Sequence, residues 1–189
     1  MAANRRIPKV PIHGKAAHNA AFLVSIGNVV VNWANNESVF MGMLQVLIRG
    51  GSHTAAIVWY SHRTTNARLD LVDRLCREQV KNADLIDEVQ RTIKRFKELS
   101  ATRNFYCHAT YRYHDSLDLR SATGVSSPKE GEPIVFETKR MDRAMLNEIG
   151  QSSLALGQLN RKLWTLVDRL QKELGVQLVD LPQMPNEPK

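Results

Sequence analysis

The sequence predicts an all-α protein: a four- to five-helix bundle with a small β-hairpin inserted between the last two long helices. Three observations carry that prediction. Apolar residues recur every three or four positions along four long stretches. The one long interruption between them reads instead with a two-residue alternation and with Gly, Ser and Pro. Apolar residues make up 43% of 189 residues, which suits one domain with a real core and leaves too little chain for two.

The organisation expected is a flexible basic tail over 1–15, a single helical domain over 16–176 and a Pro-rich tail over 177–189. Prolines at 182, 185 and 188 exclude regular structure from the last stretch. The first helix is expected from Ala17 to Arg49, with Phe22, Ile26, Val29, Trp33, Phe40, Met43 and Leu47 on a drifting stripe and Gly50-Gly51 as its stop. It is apolar over more than one face. Ser52 can cap a second stretch, Thr54 to Val80, which is expected to bend or break between Ser61 and Asn66, where polar residues crowd together.

The third helix is expected from Ala83 to Tyr113. Leu85, Ile86, Val89, Ile93 and Phe96 face inward, and Asp87, Glu88, Arg91, Lys94, Arg95 and Lys97 face largely outward. The last helix, Met141 to Leu174, repeats Met141, Met145, Ile149, Leu156, Leu159, Leu163, Leu166 and Leu170 at helical spacing, and Gly175 stops it. Between these two, residues 115–139 read as a hairpin, with Leu117 and Leu119 alternating with polar neighbours and Ile134-Val135-Phe136 favouring a strand. Four stripes that cannot be buried alone imply a bundle, in an up-down-up-down order.

Lys and Arg outnumber Asp and Glu by 26 to 19, giving a net charge of +7 and a pI near 9.6. That balance favours a polyanionic partner such as nucleic acid. Cys76 and Cys107, both in helix-like segments, supply neither a disulfide framework nor a metal knuckle, so a reducing cytoplasm is the expected setting. The most apolar stretch, Ala20 to Val31, is broken by Ser25, Gly27 and Asn28, so neither a membrane span nor a secretory leader is expected. His53 and His62 lack a third ligand, and so do Cys107, His108 and His114; no metal or other cofactor is expected.

The candidate chemistry lies in SATRNFYCHATYRY. At about 100° per residue, the inward positions Val89, Ile93, Phe96 and Ser100 project onto Arg103 and Cys107, so an arginine falls on the buried stripe. Buried Arg is rare unless paired, because removing the charge from water costs several kcal/mol. It is therefore either pairing with a buried carboxylate, for which Glu37 is one candidate, or held for an anion. Asn104 and His108 are four apart on one face, so the amide can orient the imidazole, and Tyr111 lies three further along.

An Arg, a polar residue and then a His a few positions on, late in a helix of a small helical bundle, resembles the HEPN superfamily (higher eukaryotes and prokaryotes nucleotide-binding). Many of its members are metal-independent ribonucleases and toxins. Arg103, Asn104 and His108 take the places of the motif's arginine, polar residue and histidine. The resemblance implies an endoribonuclease that cleaves by 2′-hydroxyl attack to a 2′,3′-cyclic phosphate, in a toxin or defence setting with a cognate antitoxin protein. His108 would act as base or acid, as an imidazole titrating near neutrality can. Arg103 would hold the scissile phosphate, and Asn104 would set the His tautomer or touch the substrate. Tyr111 and Glu37 complete the site as candidate substrate-binding residues.

Arg103 and His108 diverge by roughly 140° on one helix, so one copy focuses them poorly. A homodimer with its interface along the third helix would bring two copies to one cleft. The competing reading is a HEPN-like module that binds nucleotide, RNA or a protein without cutting. Tyr106, Tyr111 and Tyr113 with Arg112 form an aromatic and basic run that either stacks bases or is half-buried packing.

Overall fold

The computed structural model describes residues 15–115, 118–126 and 134–177. Apart from Lys15 and Gln177, the expected tails fall outside the described residues. So do positions 116–117 and 127–133 of the insertion. Among the described residues the elements run α1 (Lys15–Leu47), α2 (Ser52–Ser61), α3 (Thr65–Gln79), α4 (Ala83–His108), β1 (Thr110–Tyr113), β2 (Leu119–Ser126), β3 (Val135–Arg140) and α5 (Arg143–Leu174). The architecture is a five-helix bundle with a small antiparallel sheet, in the order β1-β2-β3, between α4 and α5.

The second stretch, expected to bend or break between Ser61 and Asn66, breaks there into α2 and α3. Thr64 caps α3 by accepting from the Ala67 N–H, and Arg68 Nε donates to the carbonyls of Trp59 and His62, closing the turn between α2 and α3. This changes the order of the bundle. Trp33 and Phe40 meet Arg103 and Phe96 respectively, so α1 and α4 are antiparallel. The bonds from Gln90 to Asp73 and from Lys97 to Asp70 make α3 antiparallel to α4, and Ser152 to Thr102 with Arg169 to Glu88 does the same for α5. The helices therefore run up-down-up-down-up, with the short α2 as the extra return, and α1 and α5 lie parallel. Asn32 and Asn36 tie these two together through Ser153 and the Leu156 carbonyl. The core between them is one continuous cluster, with Phe22, Phe40, Met43, Phe96, Leu156 and Leu163 wholly buried.

Two helix ends differ from expectation. The left-handed residue after α1 is Arg49 (φ 50°), ahead of Gly50-Gly51. The N–H of Gly50 bonds the Gln45 carbonyl and that of Arg49 bonds Val46, a Schellman closure. Gly51, with no side-chain bond, precedes α2 where Ser52 was expected to cap. Gly175 (φ 64°) ends α5 as expected.

The third helix was expected to reach Tyr113, but it stops at His108. Thr110, Tyr111 and Tyr113 are β-branched or aromatic and pair with β2, so strand propensity and tertiary pairing override continuation of the helix. The expected hairpin is accordingly a three-stranded sheet. Its inner face packs on the end of α4. Ala122 is fully buried, and Gly124 lies so close to Phe105 that a Cβ there would meet the ring at 2.9 Å.

Candidate functional site

Arg103 continues the inward stripe of α4 and is half-buried. Cys107, also expected inward, is exposed, because Phe105 and Tyr106 take the buried positions next to the sheet. The Arg103 guanidinium lies 5.8 Å from the centroid of the Trp33 ring, which itself stacks on Phe96 at 3.9 Å. Arg103 Nη1 donates to Asn104 Oδ1 at 2.9 Å, while its Nε is buried with no acceptor. Among the described residues it forms no ion pair. His108, the last residue of α4, is exposed and makes no hydrogen bond among those residues. The expected Asn104–His108 contact is therefore replaced by one between Asn104 and Arg103.

Glu37 is not the partner of Arg103. It accepts from Thr65 Oγ1 at 2.6 Å and sits 3.9 Å from Arg68 Nη1, because the break between α2 and α3 brings Arg68 over α1. Arg68 also lies 5.4 Å from the centroids of both Trp59 and Tyr60, and a small pocket of about 140 Å³ opens beside this group. Tyr111 is on β1, off the helix. Its hydroxyl donates to the Tyr106 carbonyl at 2.7 Å, and burial pushes its pKa up to about 12. Tyr106 is raised further by burial and donates to the Met145 sulfur. Neither phenol is poised for proton transfer near neutrality. Burial likewise pushes the Cys76 thiol up to about 11.

A larger concavity lies away from Arg103 and His108. It is a cleft of about 1150 Å³ between the sheet and the starts of α1 and α5. Its floor is buried Leu119, Ser121 and Met141, and its walls carry exposed Arg112, Arg120 and Arg140. Arg112 on β1 and Arg140 on β3 both pair with Ser121, so all three side chains share one face of the sheet. The ladder slips between Arg112 and Tyr113, where Tyr113 pairs with Leu119 and leaves Arg120 as the extra residue. Of this group only Arg112 carried a sequence signal, through its tyrosine neighbours. Arg120 and Arg140 are 20 residues apart, and only the register joins them.

Among the described residues no group of three His, Cys, Asp or Glu side chains is arranged to hold a metal ion. No helix there is long and apolar enough to cross a membrane. No protein-family model, curated protein or solved structure matches the chain.

Proposed function

We propose that the chain is a metal-independent endoribonuclease resembling the HEPN type, acting as a homodimer. One observation carries the reading. Arg103 occupies a core-facing position with a buried Nε that lacks an acceptor and, among the described residues, with no carboxylate to neutralise it, five residues ahead of an exposed histidine. A guanidinium held that way, steadied by Asn104 and Trp33, is preorganised for a phosphate. His108 takes the 2′-hydroxyl proton as the 2′-oxygen bonds to phosphorus. The bond to the 5′-oxygen breaks, and a second imidazole, supplied by the other copy, returns a proton to it. The products are a 2′,3′-cyclic phosphate and a 5′-hydroxyl. The apolar residues Leu23, Val24 and Val31 of α1, each more than half exposed, supply the surface for a second copy.

The second reading is a HEPN-like module that binds RNA without cutting it. What favours it is the isolation of His108, since Asn104 is engaged by Arg103 and no described residue fixes the imidazole. Incubation with RNA in EDTA separates the two readings. The wild type should leave cyclic phosphate ends, and His108→Ala and Arg103→Ala should each slow cleavage by about a hundred- to ten-thousand-fold. Equal cleavage by both variants, or none by a folded, dimeric wild type, overturns the enzyme reading.

A further inference from the structure

We propose that the cleft walled by Arg112, Arg120 and Arg140 binds the phosphodiester backbone of single-stranded RNA. The choice of RNA rests on the function proposed above, whereas the anionic character of the ligand rests on the cleft alone. Some surface basic side chains find carboxylates, as Arg77 does with Asp73, Lys97 with Asp70, Lys139 with Glu148, and Lys162 and Arg169 with Glu88, and others, such as Arg91 and Arg161, have no ion pair among the described residues; what sets the cleft apart is that three arginines line one concavity. None of the three cleft arginines has an ion pair or a side-chain hydrogen bond among the described residues. Gathering three free guanidinium groups on one concave wall costs mutual repulsion, which a bound polyanion removes.

Two carboxylates also line the cleft, Asp118 and Asp142. Asp142 is engaged as the N-cap of α5, accepting from the Met145 N–H at 3.0 Å. His18 and His114 add two further groups able to carry positive charge, and His18 Nε2 is 3.1 Å from the Leu119 carbonyl.

The dimensions favour an extended ligand. Arg112 and Arg140 stand two strand spacings apart, about 10 Å. The volume exceeds that of typical small-molecule pockets, about 300–1,000 Å³, and the arginine walls are exposed, so the site is an open trough. Tyr113, 52% exposed at its edge, offers an aromatic face on which an unpaired base can stack. A duplex presents no free base to it. The strand that carries Arg112 begins two residues after His108, so chain length alone keeps Arg112 and His108 within about 14 Å. RNA lying in the cleft is thereby led to the end of α4 where cleavage is proposed.

The test uses the full chain carrying His108→Ala, so that the probe survives, with a fluorescein-labelled single-stranded RNA in EDTA read by anisotropy. Replacing all three arginines by Gln should weaken binding at least tenfold. It should also reduce the slope of log K against log salt by about 2, at about 0.7 for each phosphate on a single strand that no longer meets a cation. Tyr113→Ala should weaken binding at least fivefold and Tyr113→Phe should restore it, while Arg91→Gln, on the exposed face of α4, should change nothing. All these positions are exposed, and circular dichroism checks that each variant folds. Unchanged affinity and salt slope in the triple variant overturn the inference, as does failure of the His108→Ala chain to bind the RNA. Equal binding of duplex DNA or heparin at the cleft overturns the assignment to single-stranded RNA. Failure of the nuclease reading looks different: no cleavage by the wild type, with arginine-dependent binding intact.

Discussion

Arg103 and Asn104, neighbours in the chain, are joined by a 2.9 Å bond from Nη1 to Oδ1, so the amide aims the guanidinium and does not touch His108. The consequence is graded. Losing one orienting hydrogen bond of net ~1 kcal/mol predicts that Asn104→Ala slows cleavage by roughly fivefold, well short of the loss expected in Arg103→Ala. Asn104→Asp keeps an acceptor but places a carboxylate where the substrate phosphate would sit, so it should be slower than Asn104→Ala. Single-turnover cleavage in EDTA measures all three. An Asn104→Ala chain as inactive as Arg103→Ala would show that Asn104 does more than position its neighbour.

Gly124 sets the approach of the sheet to α4. A Cβ there would lie 2.9 and 3.0 Å from two atoms of the Phe105 ring, and Lys139 Nζ stands 4.9 Å from the centroid of that ring. The ring has no easy retreat. Gly124→Ala should therefore cost about 1–3 kcal/mol by overpacking, read as a lower urea midpoint with the slope unchanged. Adding Phe105→Leu should recover part of the loss. A fully additive double variant would place the strain elsewhere.

The helices were legible in the sequence because each buries one stripe, and a stripe at helical spacing is a local signal. Gly175 and the break before Thr65 were legible for a similar reason, as backbone freedom and polar crowding show in a few adjacent residues. The end of α4 was not. Arg103 and Phe96 continue the helical stripe smoothly, and what stops the helix after His108 is pairing of Thr110–Tyr113 with a strand that begins at Leu119. Arg49 escaped too, since two glycines follow it and either would adopt the left-handed position at less cost. Of the site, the half-buried Arg103 was readable, but its neighbours were not. The claim of Arg68 on Glu37, and the row Arg112–Ser121–Arg140, depend on register between segments distant in sequence.

Glu88 on α4 joins Arg169 and Lys162 of α5, and the Arg169 hydrogen bond holds its carboxyl below the usual range. The folded state therefore binds its proton more weakly than the unfolded chain. The resulting stability is present above the unfolded pKa, about 4.3, and is lost as pH falls through the lower folded value. The difference in unfolding free energy between wild type and Glu88→Gln should be constant from pH 8 to 5 and should shrink as the pH drops below about 4. Chemical denaturation at several pH values measures it. A difference that stays constant down to pH 2 would mean that the pair contributes through packing alone.

The proposed dimer is expected to form through α1 and not, as the sequence suggested, through α4. Among the described residues the large exposed apolar side chains include Leu23, Val24, Val30 and Val31 of α1 and none of α4. Val24 and Val31 are seven residues apart and so share a face, with Gly27 between them leaving open space. Val24→Glu with Val31→Glu, at positions 62% and 58% exposed, should leave the helical spectrum unchanged while converting a sedimenting dimer to a monomer. Cleavage should fall with it, because the roughly 140° between Arg103 and His108 on one helix keeps a single copy from focusing both on one phosphate. A wild type that sediments as a monomer at micromolar concentration and still cuts RNA would refute the convergence of two copies. A double variant that stays dimeric would move the interface off α1.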